Sequence, residues 1–278
     1  MPERRPRILL VTRNLPPLVG GMERLNWHMA EELAKVADVR VVGPQGSAAV
    51  APAGIEVCEA PLKPLWRFLL RAQNLARREA ASWKPDIVLA GSGLTAPLAW
   101  RAARACSANA AVYVHGLDVA VKHPLYRALW LPAIRRMQVV IANSQPTAAL
   151  CRQIGVAAER IAIVHPGVEL PAAEPPNGLQ SEPLSHRERG RGEGSAADFR
   201  QHHGLGNRPI LLSVGRLSTR KGLREFVTQA LPQIVAAHPE VMLLIIGDAP
   251  KQALHAQAQS PESIQAAAEA AGVGDNLR

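Results

Sequence analysis

Ile210-Leu-Leu-Ser-Val-Gly-Arg-Leu-Ser-Thr-Arg-Lys-Gly222 packs a strand, a turn and two cations into one short stretch. The apolar run 210–214 ends in Gly215, Arg216 follows at once, and Lys221-Gly222 stands where a helical pattern begins. A strand that feeds a helix in this way sets both cations and a flexible backbone at the carboxyl edge of a sheet. In open α/β sheets that edge takes ligands, and the unpaired N–H groups of a helix's first turn favour anions. The segment therefore predicts a site for a diphosphate.

The same rhythm runs through the first half of the chain. Ile8-Leu-Leu-Val-Thr12 is a continuous apolar run, as expected of a strand buried on both faces. The loop 14–21 carries Pro16-Pro17 and Gly20-Gly21, and Met22, Leu25, Met29, Leu33 and Val36 then recur at helical spacing. Further strands are predicted at 39–42, 87–90, 111–114, 139–142 and 161–164. They lead into turns such as Gly43-Pro44, His115-Gly116, Asn143-Ser144 and His165-Pro166-Gly167. Strands alternating with helices predict an α/β, doubly wound parallel sheet with helices on both faces. The polar strand ends then line one edge.

Residues 171–197 break the rhythm with Pro171, Pro175-Pro176, Pro183 and His186-Arg-Glu-Arg-Gly-Arg-Gly-Glu-Gly194. Such a low-complexity stretch buries too little to order itself and reads as a linker with an insert. An arginine-rich nucleic-acid arm is the sharper alternative, against which the interspersed glutamates weigh. A second α/β unit follows over 198–278: strand 210–214, a helix over 222–237, strand 241–246 ending in Gly247-Asp248, and a helix near 261–271. Two strands are few for a doubly wound domain.

Composition narrows the function classes. The 278 residues are 47% hydrophobic, enough for a sizeable core, and suit about two domains. No run approaches the roughly 18 apolar residues of a membrane span, and residues 8–11 are too short for a signal-peptide core, so a cytoplasmic protein is expected. The net charge of +9 suits nucleic acid, anionic membrane or phosphorylated substrates. Aromatics at 4% and the lack of any nucleic-acid-binding motif argue against the first of these. Cys58, Cys106 and Cys151 have no metal spacing and read as ordinary thiols. His202-His203 has no further ligand nearby, and no GxGxxG follows a strand, which counts against a dinucleotide enzyme.

Taken in order, Gly20-Gly21-Met22-Glu23, His115-Gly116-Leu117-Asp118, Asn143-Ser144, His165-Pro166-Gly167-Val168-Glu169, Gly215-Arg216-Leu217…Lys221-Gly222 and Ile245-Ile246-Gly247-Asp248 resemble the retaining, nucleotide-sugar-dependent glycosyltransferases of the GT-B fold, group 1, family GT4. The resemblance implies an acceptor-binding domain over 1–170 and a nucleotide-sugar-binding domain over 198–278. It implies transfer from a UDP- or GDP-sugar to a lipid-linked or cell-envelope glycan. Arg216 and Lys221 then neutralise the leaving diphosphate, a role that lowers the barrier because charge builds there in the transition state. His115 resembles the family residue that meets the transferred sugar. Gly20, Gly21, Gly116, Gly215 and Gly222 admit close backbone approach, while Glu23, Asp118, Asn143 and Ser144 position loops and substrate. No Asp-x-Asp occurs, so two side-chain cations in place of a metal imply a metal-independent enzyme with no cofactor. Plainer roles stand beside these: Arg216 as a solvated helix-entry cation, Gly20-Gly21 as a simple turn, His115 as a satisfied turn histidine.

Two further expectations concern surface and extent. Residues 62–84 mix Leu65, Trp66, Phe68, Leu69, Leu70 and Leu75 with Lys63, Arg67, Arg71, Arg77, Arg78 and Lys84, and residues 122–137 set Tyr126 and Trp130 among Arg127, Arg135 and Arg136. Basic, aromatic-bearing amphipathic helices suit an anionic membrane surface, here the inner leaflet; an ordinary surface helix is the plainer reading. Family chains continue through a Glu-x7-Glu motif that has no counterpart after Asp248. The donor domain is therefore expected to be incomplete. A truncated frame with impaired transfer is favoured over a partner that supplies the rest, or an inactive acceptor- or membrane-binding protein.

Overall fold

The computed structural model describes residues 4–167, 196–247 and 259–278. The insert centred on 171–195, Val168-Glu169 and Asp248 lie outside the described residues. The chain divides into two compact units, Met1–Leu170 and Pro171–Arg278.

The first unit runs β1 (Arg7–Val11), α1 (Gly21–Val36), β2 (Asp38–Pro44), β3 (Glu56–Ala60), α2 (Leu65–Trp83), β4 (Ile87–Ala90), α3 (Ala96–Cys106) and β5 (Asn109–Val114). It continues with α4 (Leu117–Ala120), α5 (Pro124–Leu129), α6 (Leu131–Arg135), β6 (Val139–Ala142), α7 (Gln145–Gln153) and β7 (Ile161–Ile163). All seven strands are parallel, in the order β3-β2-β1-β4-β5-β6-β7. The apolar runs make the central strands because both faces are covered. Leu9, Val11, Val88, Ala90, Val112 and Val114 face α2, α3, α6 and α7, while Ile8, Leu10, Val39, Val41 and Leu89 face α1.

Alanine sets the spacing on the first face. Ala72, Ala76 and Ala80 of α2 and Ala99, Ala102 and Ala103 of α3 are fully or almost fully buried. Small side chains at a helix contact bring the axes toward the near end of the usual range of about 8–10 Å.

Three elements of this unit differ from the sequence expectation. Strand β3, Glu-Val-Cys-Glu-Ala, carries no apolar run because it is a sheet edge. It is held by the register Arg40↔Glu56 and by Arg40, whose guanidinium bonds Glu56 and Glu79 at 2.9 Å each and lies 4.9 Å over Trp83. Residues 122–137 form two short helices because Pro132 opens a new helix at α6. Residues 65–83 serve two surfaces at once. Phe68 and the alanine row are core, Leu69 and Leu75 pack against it, and Leu65, Trp66 and Leu70 stand exposed beside Arg67 and Arg71.

The second unit contains α8 (Ala196–His202), β8 (Ile210–Val214), α9 (Leu223–Glu225), a π-helical turn Phe226–Ala230, α10 (Leu231–Ala237), β9 (Met242–Ile246) and α11 (Pro261–Ala270). The single helix expected over 222–237 is thus interrupted. Pro232 has no N–H for the carbonyl four residues earlier, and the backbone widens to π geometry just before it. Strands β8 and β9 pair in parallel, and Leu277 bridges to Leu243 on the far side of β9. One face packs Leu217, Val227, Leu231, Leu243 and Ile264 into a core. Among the described residues the other is covered only at its start, by Leu205, and Leu212 and Val214 are 60% and 68% exposed.

Candidate functional site

The sheet order of the first unit reverses between β1 and β4. At such a switch point the loops leaving neighbouring strands part in opposite directions and open a crevice, where α/β proteins bind ligands. Gly20, Gly21, Glu23, His115, Gly116, Asp118, Asn143 and Ser144 follow strands β1, β5 and β6 along this edge.

The loop after β1 is anchored at both ends. Leu15 is fully buried, and the buried Ser47 donates from Oγ to the Pro16 carbonyl at 2.6 Å. Ser47 is itself fixed by Glu59, whose Oε1 accepts from the Gly46 and Ala48 amides at 2.9 and 2.8 Å. At the start of α1, Asn14 Nδ2 donates to Glu23 Oε1 at 2.9 Å. The other Glu23 oxygen occupies the space where a Cβ on Gly20 would stand. Around Gly21 that space is open, and no side chain caps the helix, so its first amides are bare. Glu23 therefore holds the loop.

The end of β5 explains its own motif. Gly116 sits at φ 76°, ψ −58°, the centre of a tight turn closed by the Leu117 amide on the His115 carbonyl at 2.9 Å. Only glycine adopts that conformation without strain. Asp118 Oδ2 accepts the His115 amide at 3.1 Å and locks the turn. The imidazole Nε2 lies 3.1 Å from the Gly91 carbonyl. A carbonyl only accepts, so neutral His115 carries its proton on Nε2 and keeps Nδ1 as an acceptor; this tautomer is assigned from the hydrogen bond.

Gly91 draws in Asn26 and Ser92, which sequence reasoning passed over, and Tyr126, which it reads as part of a membrane-facing patch. Its Cα faces Asn26 Oδ1 and Thr12, and a Cβ on Gly93 would lie 2.6 Å from Asp118 Cβ and 2.8 Å from the Tyr126 hydroxyl. Ser92 and Asn26 are buried. Burial, reinforced by the Asp118 charge, pushes the Tyr126 phenol well above its ordinary pKa. The available signal was Gly91-Ser92-Gly93 directly after a recognised strand.

Asn143 and Ser144 have a structural occupation. Ser144 Oγ accepts from the Thr147 amide at 3.3 Å as the N-cap of α7, and Thr147 Oγ1 donates to Asn143 Oδ1 at 2.7 Å. Thr147 also underlies Gly116, so the cap buttresses the His115 turn.

The second unit gathers Gly215, Arg216, Lys221 and Gly222. Gly215 extends the ladder by donating to the Ile246 carbonyl at 2.9 Å. Gly222, at φ 69° and ψ 17°, reverses the chain from a 3₁₀ turn (Thr219–Lys221) into α9. Arg216 and Lys221 line one cleft of about 440 Å³ with Ser213 and Phe226, and among the described residues no acidic side chain lines it. Among the described residues neither cation makes an ion pair. Two such charges in one cleft are the arrangement that suits an anion with more than one charged oxygen.

The other sequence candidates are quieter. Burial pushes the Cys58 and Cys151 thiols up to about 11, Cys58 with help from Glu79, so both stay protonated. Among the described residues no three His, Cys, Asp or Glu side chains cluster as metal ligands. No helix described is long and apolar enough to cross a membrane.

Comparison with known proteins places this geometry. In the GDP-mannose-dependent alpha-(1-6)-phosphatidylinositol monomannoside mannosyltransferase of Mycolicibacterium smegmatis, 257 residues align at 25% identity, 87% of this chain and 61% of that one. The chain thus spans about 61% of the length of that curated relative. Anabaena HepE, solved with UDP, shares the fold at TM-score 0.66 and 18% identity, over 98% of this chain and 68% of that one. So does the sucrose-phosphate synthase of Thermosynechococcus elongatus, at TM-score 0.65 and 18% identity, over 99% and 70%. These neighbours place both units in the GT-B architecture. The model of Glycosyl transferases group 1 matches residues 195–278, and that of Glycosyltransferase Family 4 matches residues 19–171, more than half of the chain: it belongs to glycosyltransferase family 4.

Proposed function

We propose that this chain moves a sugar from a UDP- or GDP-sugar to a lipid-linked or cell-envelope glycan acceptor, with retention and without a metal. The observation that carries the reading is that Arg216 and Lys221 share one cleft at the end of β8. Anabaena HepE, which shares the fold, was solved with UDP and with UDP-glucose, and the mycobacterial relative is named for GDP-mannose and a phosphatidylinositol mannoside.

In this reading the second unit grips the diphosphate. The bond from the sugar's anomeric carbon to the phosphate oxygen breaks, and the acceptor oxygen bonds that carbon on the same face. The acceptor proton passes to the leaving phosphate, so no protein nucleophile is needed. Arg216 and Lys221 offset the charge that grows on the diphosphate. His115, with Nδ1 free to accept, receives a hydroxyl of the transferred sugar. Exposed Trp66 and Leu70, with Arg67 stacked 5.1 Å over Trp66, favour a working position on the inner, cytoplasmic face of an anionic membrane.

The test is transfer of radiolabelled sugar from UDP- and GDP-sugars into an envelope lipid extract, with and without a chelator. We expect label in the lipid phase at a rate the chelator does not change. A rate abolished by chelation and restored by a divalent cation would rule out the metal-free mechanism, and no transfer from any donor would rule out the enzyme.

A further inference from the structure

We infer that the groove between α5, α6 and the end of α7 seats the phosphate of an anionic lipid headgroup. Lys122, Arg127 and Arg135 converge on an opening of about 670 Å³ whose other polar lining is Gln153. Among the described residues no carboxylate lines it and none of the three cations forms an ion pair. The neighbouring Arg136 is engaged elsewhere, 5.3 Å over the Trp100 ring. Arg127 and Arg135 each sit in the last turn of a helix, where a cation offsets the dipole. That role asks for one cation at each helix end and does not bring three into one acid-free groove. A phosphodiester answers all three, since guanidinium forks bind its paired oxygens and an ammonium adds a point charge.

The choice of a lipid over a soluble phosphate comes from the same helix. Leu125 and Leu129, one turn apart on α5, are 57% and 56% exposed beside Arg127. Apolar side chains that stand free next to a phosphate site suit the boundary between headgroups and acyl chains. The groove also adjoins the crevice of the first unit. Helix α5 turns Tyr126 inward against Gly93 and Asp118, while α4, about 6 Å long at four residues, separates the His115 turn from Lys122. A lipid held by its phosphate here keeps its hydroxylated headgroup beside His115. The inference rests on the membrane-borne acceptor proposed above.

Co-sedimentation of the full chain with phosphatidylglycerol–phosphatidylcholine vesicles, and with phosphatidylcholine alone, tests it at low salt. The Lys122→Gln, Arg127→Gln, Arg135→Gln triple variant is compared with a Trp66→Ser, Arg67→Gln, Arg71→Gln variant of α2, with circular dichroism to confirm that both fold. Each basic residue near an anionic surface contributes about fivefold, so the triple variant is expected to lose about 100-fold in affinity for the anionic vesicles. Millimolar inorganic phosphate is expected to leave the wild type bound. A folded triple variant that binds like the wild type while the α2 variant does not would overturn the groove and leave membrane contact standing. Release of the wild type by inorganic phosphate would overturn the lipid assignment in favour of a free phosphate site. A wild type that sediments with neither vesicle would overturn both readings.

Discussion

Arg216→Ala is expected to lower the rate of sugar transfer by about 10²–10³-fold, the usual cost of deleting one group that stabilises transition-state charge. Among the described residues no second arginine lines those walls to replace it. Arg216→Lys keeps the charge but loses the planar fork, so partial recovery separates bidentate phosphate recognition from simple charge neutralisation. Lys221→Ala is expected to fall in the same range. Both side chains are exposed, so neither change removes core packing, and thermal midpoints close to the wild type are expected. Unchanged rates in both single variants would remove the cleft from the mechanism.

Gly247→Ala is expected to damage the same site without touching a charge. A Cβ at Gly247 would fall inside the van der Waals sphere of the Gly215 carbonyl oxygen and only 2.8 Å from its carbonyl carbon. Those are backbone atoms, which cannot swing away like a side chain. The ends of β8 and β9 must part, and Arg216 moves with them. Overpacking of this kind costs about 1–3 kcal/mol, so a lower thermal midpoint and loss of nucleotide binding are expected together. Gly21→Ala is the control: open space surrounds that Cβ and its backbone is helical, so stability is expected to hold. A Gly247→Ala protein with native midpoint and native binding would show that the strand ends have room the structure denies them.

The elements that sequence made legible are those whose environment is uniform. Parallel strands covered on both faces must be apolar throughout, and β1, β4 and β5 announce themselves for that reason. Strand β3 did not, because an edge held by Arg40, Glu56 and Glu79 is recorded in residues far apart in the chain. The π turn before Pro232 was hidden for a related reason: its flanks look helical, and only the missing amide of proline shows the break.

The candidate site was legible in its residue types and less so in their roles. Arg216 and Lys221 do share a cleft. Glu23, Asp118, Asn143 and Ser144 were read as loop-positioning and substrate-contacting groups, and the structure shows each bonded to its own loop or helix start. Their evident work is to fix the backbone around Gly20, Gly116 and α7. Ser92 and Asn26 went unnoticed because buried polar groups become visible only when the strands that enclose them are brought together, and Tyr126, read as part of a membrane-facing patch, turns its hydroxyl toward Gly93 instead.

The central claim is that the cleft of Arg216 and Lys221 holds a nucleoside diphosphate. Titration calorimetry of the intact chain with UDP and with GDP tests it most directly. The account expects saturable binding to at least one of them near micromolar Kd, about −8 kcal/mol, weakened at least about tenfold in Arg216→Ala. A folded wild-type chain that binds neither nucleotide, or an Arg216→Ala protein that binds as the wild type does, would contradict it.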